Sequence, residues 1–126
     1  MSQLSTGVYS GFKGATVFLL TGDSSRFNKL QEAIGFLLRE GEEVSAASQI
    51  DYDEWCLDFH VLPGAKGGAI YVSEIPKKTL RWDMTPAQAR DVVEKLRALV
   101  LCNEPSHFYI DMDRGSLPLV VSKDEY

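Results

Sequence analysis

The run Thr85-Pro86-Ala87-Gln88 fixes the start of a helix more tightly than any other stretch of the chain. Thr85 is an N-cap residue, Gln88 stands three positions on to complete a capping box, and Pro86 sits where its missing N–H costs nothing. Behind that start, Val92, Val93, Leu96, Leu99 and Val100 recur at helical spacing. Arg90 with Glu94 and Asp91 with Lys95 form i,i+4 pairs on the polar side, and Asn103 and Pro105 close the segment. On both sides of this helix the period changes to two. Leu80, Trp82 and Met84 alternate with Arg81 and Asp83 before it, and Phe108, Ile110 and Met112 alternate with His107, Tyr109 and Asp111 after it. A helix bounded in this way by half-buried strands must pack on a sheet.

The upstream part carries the second helix, predicted over 25–40. Phe27, Leu30, Ile34, Leu37 and Leu38 share one face, residues 22–25 offer capping oxygens, and Gly41 is placed for a left-handed C-terminal cap. Gly35 costs about 1 kcal/mol against alanine inside a helix and predicts close packing on a sheet. Ala15 to Thr21 reads as a first strand, Val44 to Ile50 as a further one, and Trp55 to Val61 as a strand with Trp55, Leu57, Phe59 and Val61 on one face. Ala69 to Ser73 would form a hairpin with it across the loop 63–68. Residues 113–116 are turn chemistry, and Leu117 to Val121 is a final strand pairing with the one before it. Residues 1–14 read as a loosely held arm with at most a short edge strand. No internal repeat is visible. The expected architecture is a single α+β domain over 1–126, with a mostly antiparallel sheet of about six or seven strands and two helices packed on one face.

Composition excludes several classes of function. No apolar run reaches the roughly 18–20 residues that span a bilayer, and Ala15 to Leu20 is too short and lacks the basic lead-in for a secretory leader. Cys56 and Cys102 are expected as reduced thiols in a cytoplasmic protein. A net charge of −5 argues against nucleic acid or an anionic membrane as partner and permits a basic protein.

Three patterns resemble chemistry. Gly64-Ala65-Lys66-Gly67-Gly68 suggests a phosphate loop, but a strand follows it, so the helix N-terminus that holds phosphate is missing. Cys56, Asp58 and His60 share a strand face and could be joined by His107 and Asp111 as metal ligands if their strands paired. The same residues define the alternative function, a small-molecule or enzyme pocket near Asp58, His60 and His107. Paired carboxylates among Asp51, Asp53, Glu54, Asp58, Asp111 and Asp113 have no spacing that fixes a catalytic dyad. No catalytic residue, metal or cofactor is therefore expected.

Residues 41–65 carry Glu42, Glu43, Asp51, Asp53, Glu54 and Asp58 with no lysine or arginine before position 66. Tyr52 and Trp55 lie among them, and aromatic residues are common interface anchors. An acidic surface of this kind speeds association with a basic partner. Glu42, Glu43, Asp51, Tyr52, Asp53, Glu54 and Asp58 are the expected partner-binding residues.

The closing strands, His107-Phe108-Tyr109-Ile110-Asp111 and Leu117-Pro118-Leu119-Val120-Val121-Ser122-Lys123-Asp124-Glu125-Tyr126, resemble the ending of immunity proteins from bacterial polymorphic-toxin and contact-dependent inhibition systems. The resemblance implies a cytoplasmic, non-enzymatic antitoxin, a monomer or weak dimer, that binds a cognate toxin domain. That toxin would be basic, and a nuclease is the type that an acidic inhibitor suits. The resemblance assigns no role to His107 or Tyr109.

Overall fold

The computed structural model describes residues 5–12, 15–110, 114–115 and 117–124. They form a single α+β domain with strands β1 (Gly7–Phe12), β2 (Ala15–Gly22), β3 (Ala46–Tyr52), β4 (Trp55–Val61), β5 (Ala69–Ser73), β6 (Thr79–Met84), β7 (Ser106–Ile110), β8 (Arg114–Gly115) and β9 (Leu119–Lys123). Helix α1 (Ser24–Glu40) follows β2, and α2 (Pro86–Leu101) follows β6. Both helices begin where side-chain chemistry dictates. Asp23 accepts from the Arg26 N–H, and Thr85 and Gln88 form the reciprocal capping box with Pro86 inside it.

In place of the expected single sheet there are two mixed ones, ordered β1-β2-β9-β7 and β3-β4-β6-β5-β8. The expected hairpin of Trp55–Val61 with Ala69–Ser73 is not made. Strand β4 pairs antiparallel with β3 and parallel with β6, and β5 pairs antiparallel with β6. Periodicity sets which face a residue occupies but carries no label for the neighbouring strand. The faces themselves are as expected, with Trp55, Leu57, Phe59 and Val61 buried. The β7–β9 antiparallel pair also forms. Its connection is no tight turn, because Arg114–Gly115 runs beside β5 as β8. The expected positions of Asp111, Met112, Asp113 and Ser116 lie outside the described residues.

The sheet orders expose a repeat that the sequence conceals. The first half runs β1-β2-α1-β3-β4 and the second runs β5-β6-α2-β7-β9. One sheet reads β1-β2-β9-β7 and the other, β8 aside, β5-β6-β4-β3. The parallel pairs β2/β9 and β6/β4 correspond, as do the antiparallel pairs at either side of them. Each sheet therefore takes two strands from each half, and the halves are exchanged through one another.

One core joins the two sheets. Phe18 and Leu20 of β2, Leu119 and Val121 of β9, Phe27, Leu30 and Ile34 of α1, Val92 and Leu96 of α2, and Leu57, Phe59, Leu80 and Trp82 of the second sheet belong to one buried cluster. Phe18 meets Trp55 edge-on at 4.8 Å between ring centres, a favoured aromatic geometry.

Two glycines differ from expectation. Gly41 takes φ of −93°, so no left-handed cap is formed. A Cβ there would stand 2.7 Å from Val61 Cγ1, so the requirement at this position is space. Gly35 has nothing within 4 Å of a built Cβ and makes no close packing contact. At the end of α2, Cys102 is the C-cap in place of Asn103. Ser24 Oγ donates to the Val100 carbonyl, and the buried Lys123 ammonium donates to the Cys102 carbonyl. A cation at a helix C-terminus complements the dipole there. Of the expected helix pairs, Asp91–Lys95 forms at 3.2 Å, while Glu94 pairs with Arg97 in place of Arg90.

Candidate partner-binding interface

The acidic segment folds into the stretch that contains β3, the β3–β4 turn and β4. Glu42 and Glu43 are exposed in the connection from α1 into β3, and Asp51, Asp53 and Glu54 are exposed at the other end of β3. Seven residues of strand separate the two groups by about 20 Å. Residues that look contiguous in sequence thus make two acidic poles.

Cations from remote segments neutralise part of this charge. Arg26 pairs with Asp53 at 3.2 Å and Lys78 with Glu54 at 2.7 Å. The Glu54 carboxylate, through its hydrogen bond, holds the Lys78 ammonium above its ordinary pKa. Asp58 lies on the outer face of β4 with Oδ1 3.0 Å from His60 Nε2, and its cross-strand neighbour is Arg81. Arg81 bonds Asp83 at 2.9 Å, which raises the guanidinium pKa further. Glu42, Glu43 and Asp51 form no ion pair with the described residues, so their charge is the part left for a partner.

Tyr52 is corrected from interface anchor to core residue. It is only 4% exposed, and its hydroxyl donates to the Thr21 carbonyl at 2.5 Å, tying β3 to β2 across the two sheets. Arg26 lies 3.7 Å above its ring and covers it. Burial pushes the phenol well above its ordinary pKa, against the opposing pull of Arg26. Gly22 makes room for this contact, since a Cβ there would stand 2.6 Å from the Tyr52 hydroxyl. Trp55 is likewise buried at 3%.

The alternative pocket at Asp58, His60 and His107 is not assembled. His107 lies on β7, which pairs with β9, whereas Asp58 and His60 lie on β4 between β3 and β6. His107 stacks edge-on against Tyr109 at 5.3 Å on the exposed side of its own sheet. Among the described residues no three His, Cys, Asp or Glu side chains gather as metal ligands, and Cys56 and Cys102 are free thiols.

Sequence patterning gave little sign of a further open feature, the edge of β3. The Cys56 N–H donates to the Lys78 carbonyl and the Leu62 N–H to that of Met84. Strand groups alternate in direction, so Cys56, Asp58 and His60 face β6, while Trp55, Leu57, Phe59 and Val61 face β3. The register then gives the ladder bonds to Ala46, Ser48, Ile50 and Tyr52. The backbone N–H and C=O groups of Ala47, Gln49 and Asp51 point away from the sheet, with no strand beyond them among the described residues. Between this edge and α1 runs a groove of about 650 Å³, lined in part by Lys29, Glu32, Phe36, Arg39, Ala47 and Ser48. It continues past Lys29 into a hollow of about 240 Å³ at Ile50 and Tyr52. Phe36 is 55% exposed there, with the Arg39 guanidinium 5.8 Å from its ring centre. The one signal in the sequence was Phe36 itself, an aromatic residue off the buried stripe of α1.

Comparison with known proteins gives no match to a family model, a curated protein or a solved structure.

Proposed function

We propose that the chain is an immunity protein that binds a cognate basic toxin domain and neutralises it stoichiometrically in the cytoplasm, without turnover. The observation that carries this reading is the pairing of an open strand edge with uncompensated carboxylates at both of its ends. A strand edge offers main-chain bonding, and Glu42, Glu43 and Asp51 offer long-range attraction for a cation-rich surface. Among the described residues no helix is long and apolar enough to cross a membrane. The resemblance of the closing strands to immunity proteins supports the same reading.

Co-expression with the product of the neighbouring upstream reading frame tests it. The expected result is a one-to-one complex and protection from that product's toxicity; absence of both overturns the proposal. Within such a complex, charge reversal at Glu42, Glu43 and Asp51 should slow association about tenfold or more at low salt. Reversal at Asp53 and Glu54 should do less, because each already faces a cation. Stopped-flow association rates at two ionic strengths separate the two sets.

A further inference from the structure

We propose that the β3 edge is a strand-acceptor site, completed by an extended segment of the partner that alternates apolar and basic residues. The inference rests on the inhibitor reading and specifies the geometry of its contact.

Ala47, Gln49 and Asp51 present donor and acceptor groups at the two-residue repeat that only an extended chain can match. An added strand would direct every second side chain to the inner face. There the groove beside Phe36 and Ala33 accepts an apolar group. The intervening side chains would lie on the outer face beside Gln49 and Asp51, with Asp58 one strand further in. Apolar residues on one side and basic ones on the other therefore fit this edge.

Charge also selects a heterologous strand over a second copy of this chain. In antiparallel self-pairing centred on Gln49, Ala47 of each copy would oppose Asp51 of the other. Glu42 and Glu43 would then approach the end of the other copy's strand that carries the uncompensated Asp51. Like charges placed opposite one another destabilise a strand pair, and charged residues are a known means of blocking edge-to-edge association. The same carboxylates that repel a copy attract a basic strand.

The test uses the whole protein and an N-acetylated octapeptide of alternating lysine and valine at low salt. Binding should slow amide hydrogen exchange at Ala47, Gln49 and Asp51 about tenfold or more, with little change at Ser48 and Ile50, which already bond β4. Gln49→Pro removes one outward N–H without touching the β4 ladder and should abolish binding, whereas Gln49→Ala keeps that N–H and should bind within about twofold. No binding, or binding that leaves the three amides exchanging freely, overturns strand addition. A dimer of the protein alone that Gln49→Pro converts to monomer would overturn the heterologous occupant. If the toxin complex forms equally well with Gln49→Pro, strand addition fails and the inhibitor reading stands. If the peptide binds as described but no toxin complex forms, the acceptor site stands and the inhibitor reading fails.

Discussion

At the scale of single residues, neighbours from elsewhere in the chain decide what each one does. Gly35 is the simplest case: it sits in a helix, gains nothing from close approach and exposes room for a methyl group. Gly35→Ala should therefore stabilise the protein by up to about 1 kcal/mol, read as a higher urea midpoint with unchanged slope. Tyr52 is the opposite case, since its proton is held by burial in the folded state. The unfolded phenol ionises near pH 10, and the folded one only well above that. Stability from this group is thus fully present below about pH 10 and falls as pH rises further. Denaturant midpoints measured between pH 8 and 11 should show a shallower alkaline decline in Tyr52→Phe than in the parent. Sequence alone could not separate these positions. An aromatic beside four carboxylates has the composition of an interface, and only the arrival of Thr21, Gly22 and Arg26 turns it inward.

At the scale of elements, the boundaries were legible because they are written in local chemistry. The capping box of α2, the faces of β4 and β6, and the antiparallel closing pair all follow from residues within a few positions of one another. Partners were not legible. The parallel pairing of β4 with β6 skips β5, and a skipped strand leaves no trace in periodicity. The end of α2 shows the same limit: Asn103 looked like its cap, yet Lys123 arrives from β9 to take the Cys102 carbonyl. Lys123→Met should remove that charge-assisted bond from the Cys102 carbonyl and lower stability by about 1–3 kcal/mol, measurable by chemical denaturation. The candidate site divides in the same way. Exposed carboxylates could be read from composition, whereas Arg26 and Lys78, which cancel two of them, and the open edge of β3 belong to pairings made at long range.

At the scale of the whole molecule, exchange of the halves makes folding a joint act. A fragment ending in the 62–68 loop has two strands for each sheet and lacks the partners of both. Fragments 1–65 and 66–126 should each be largely unfolded alone and should regain ordered structure on mixing in equal amounts. Circular dichroism of the mixture against the sum of the separate fragments checks this. Two independently folded fragments would show that the shared core is dispensable.

The matched halves also bear on ancestry. A gene encoding only one β-β-α-β-β unit would specify a chain able to close its sheets by pairing with its twin, so the present protein has the form of such a pair fused end to end. Fusion frees each half from having to match the other. The β7 side has a helix-and-edge hollow of about 340 Å³ between α2 and Tyr109, the counterpart of the hollow at Ile50 and Tyr52 beside β3. Once one copy of a groove holds the working contact, the other can drift, and the two can come to accept different molecules without a change of fold.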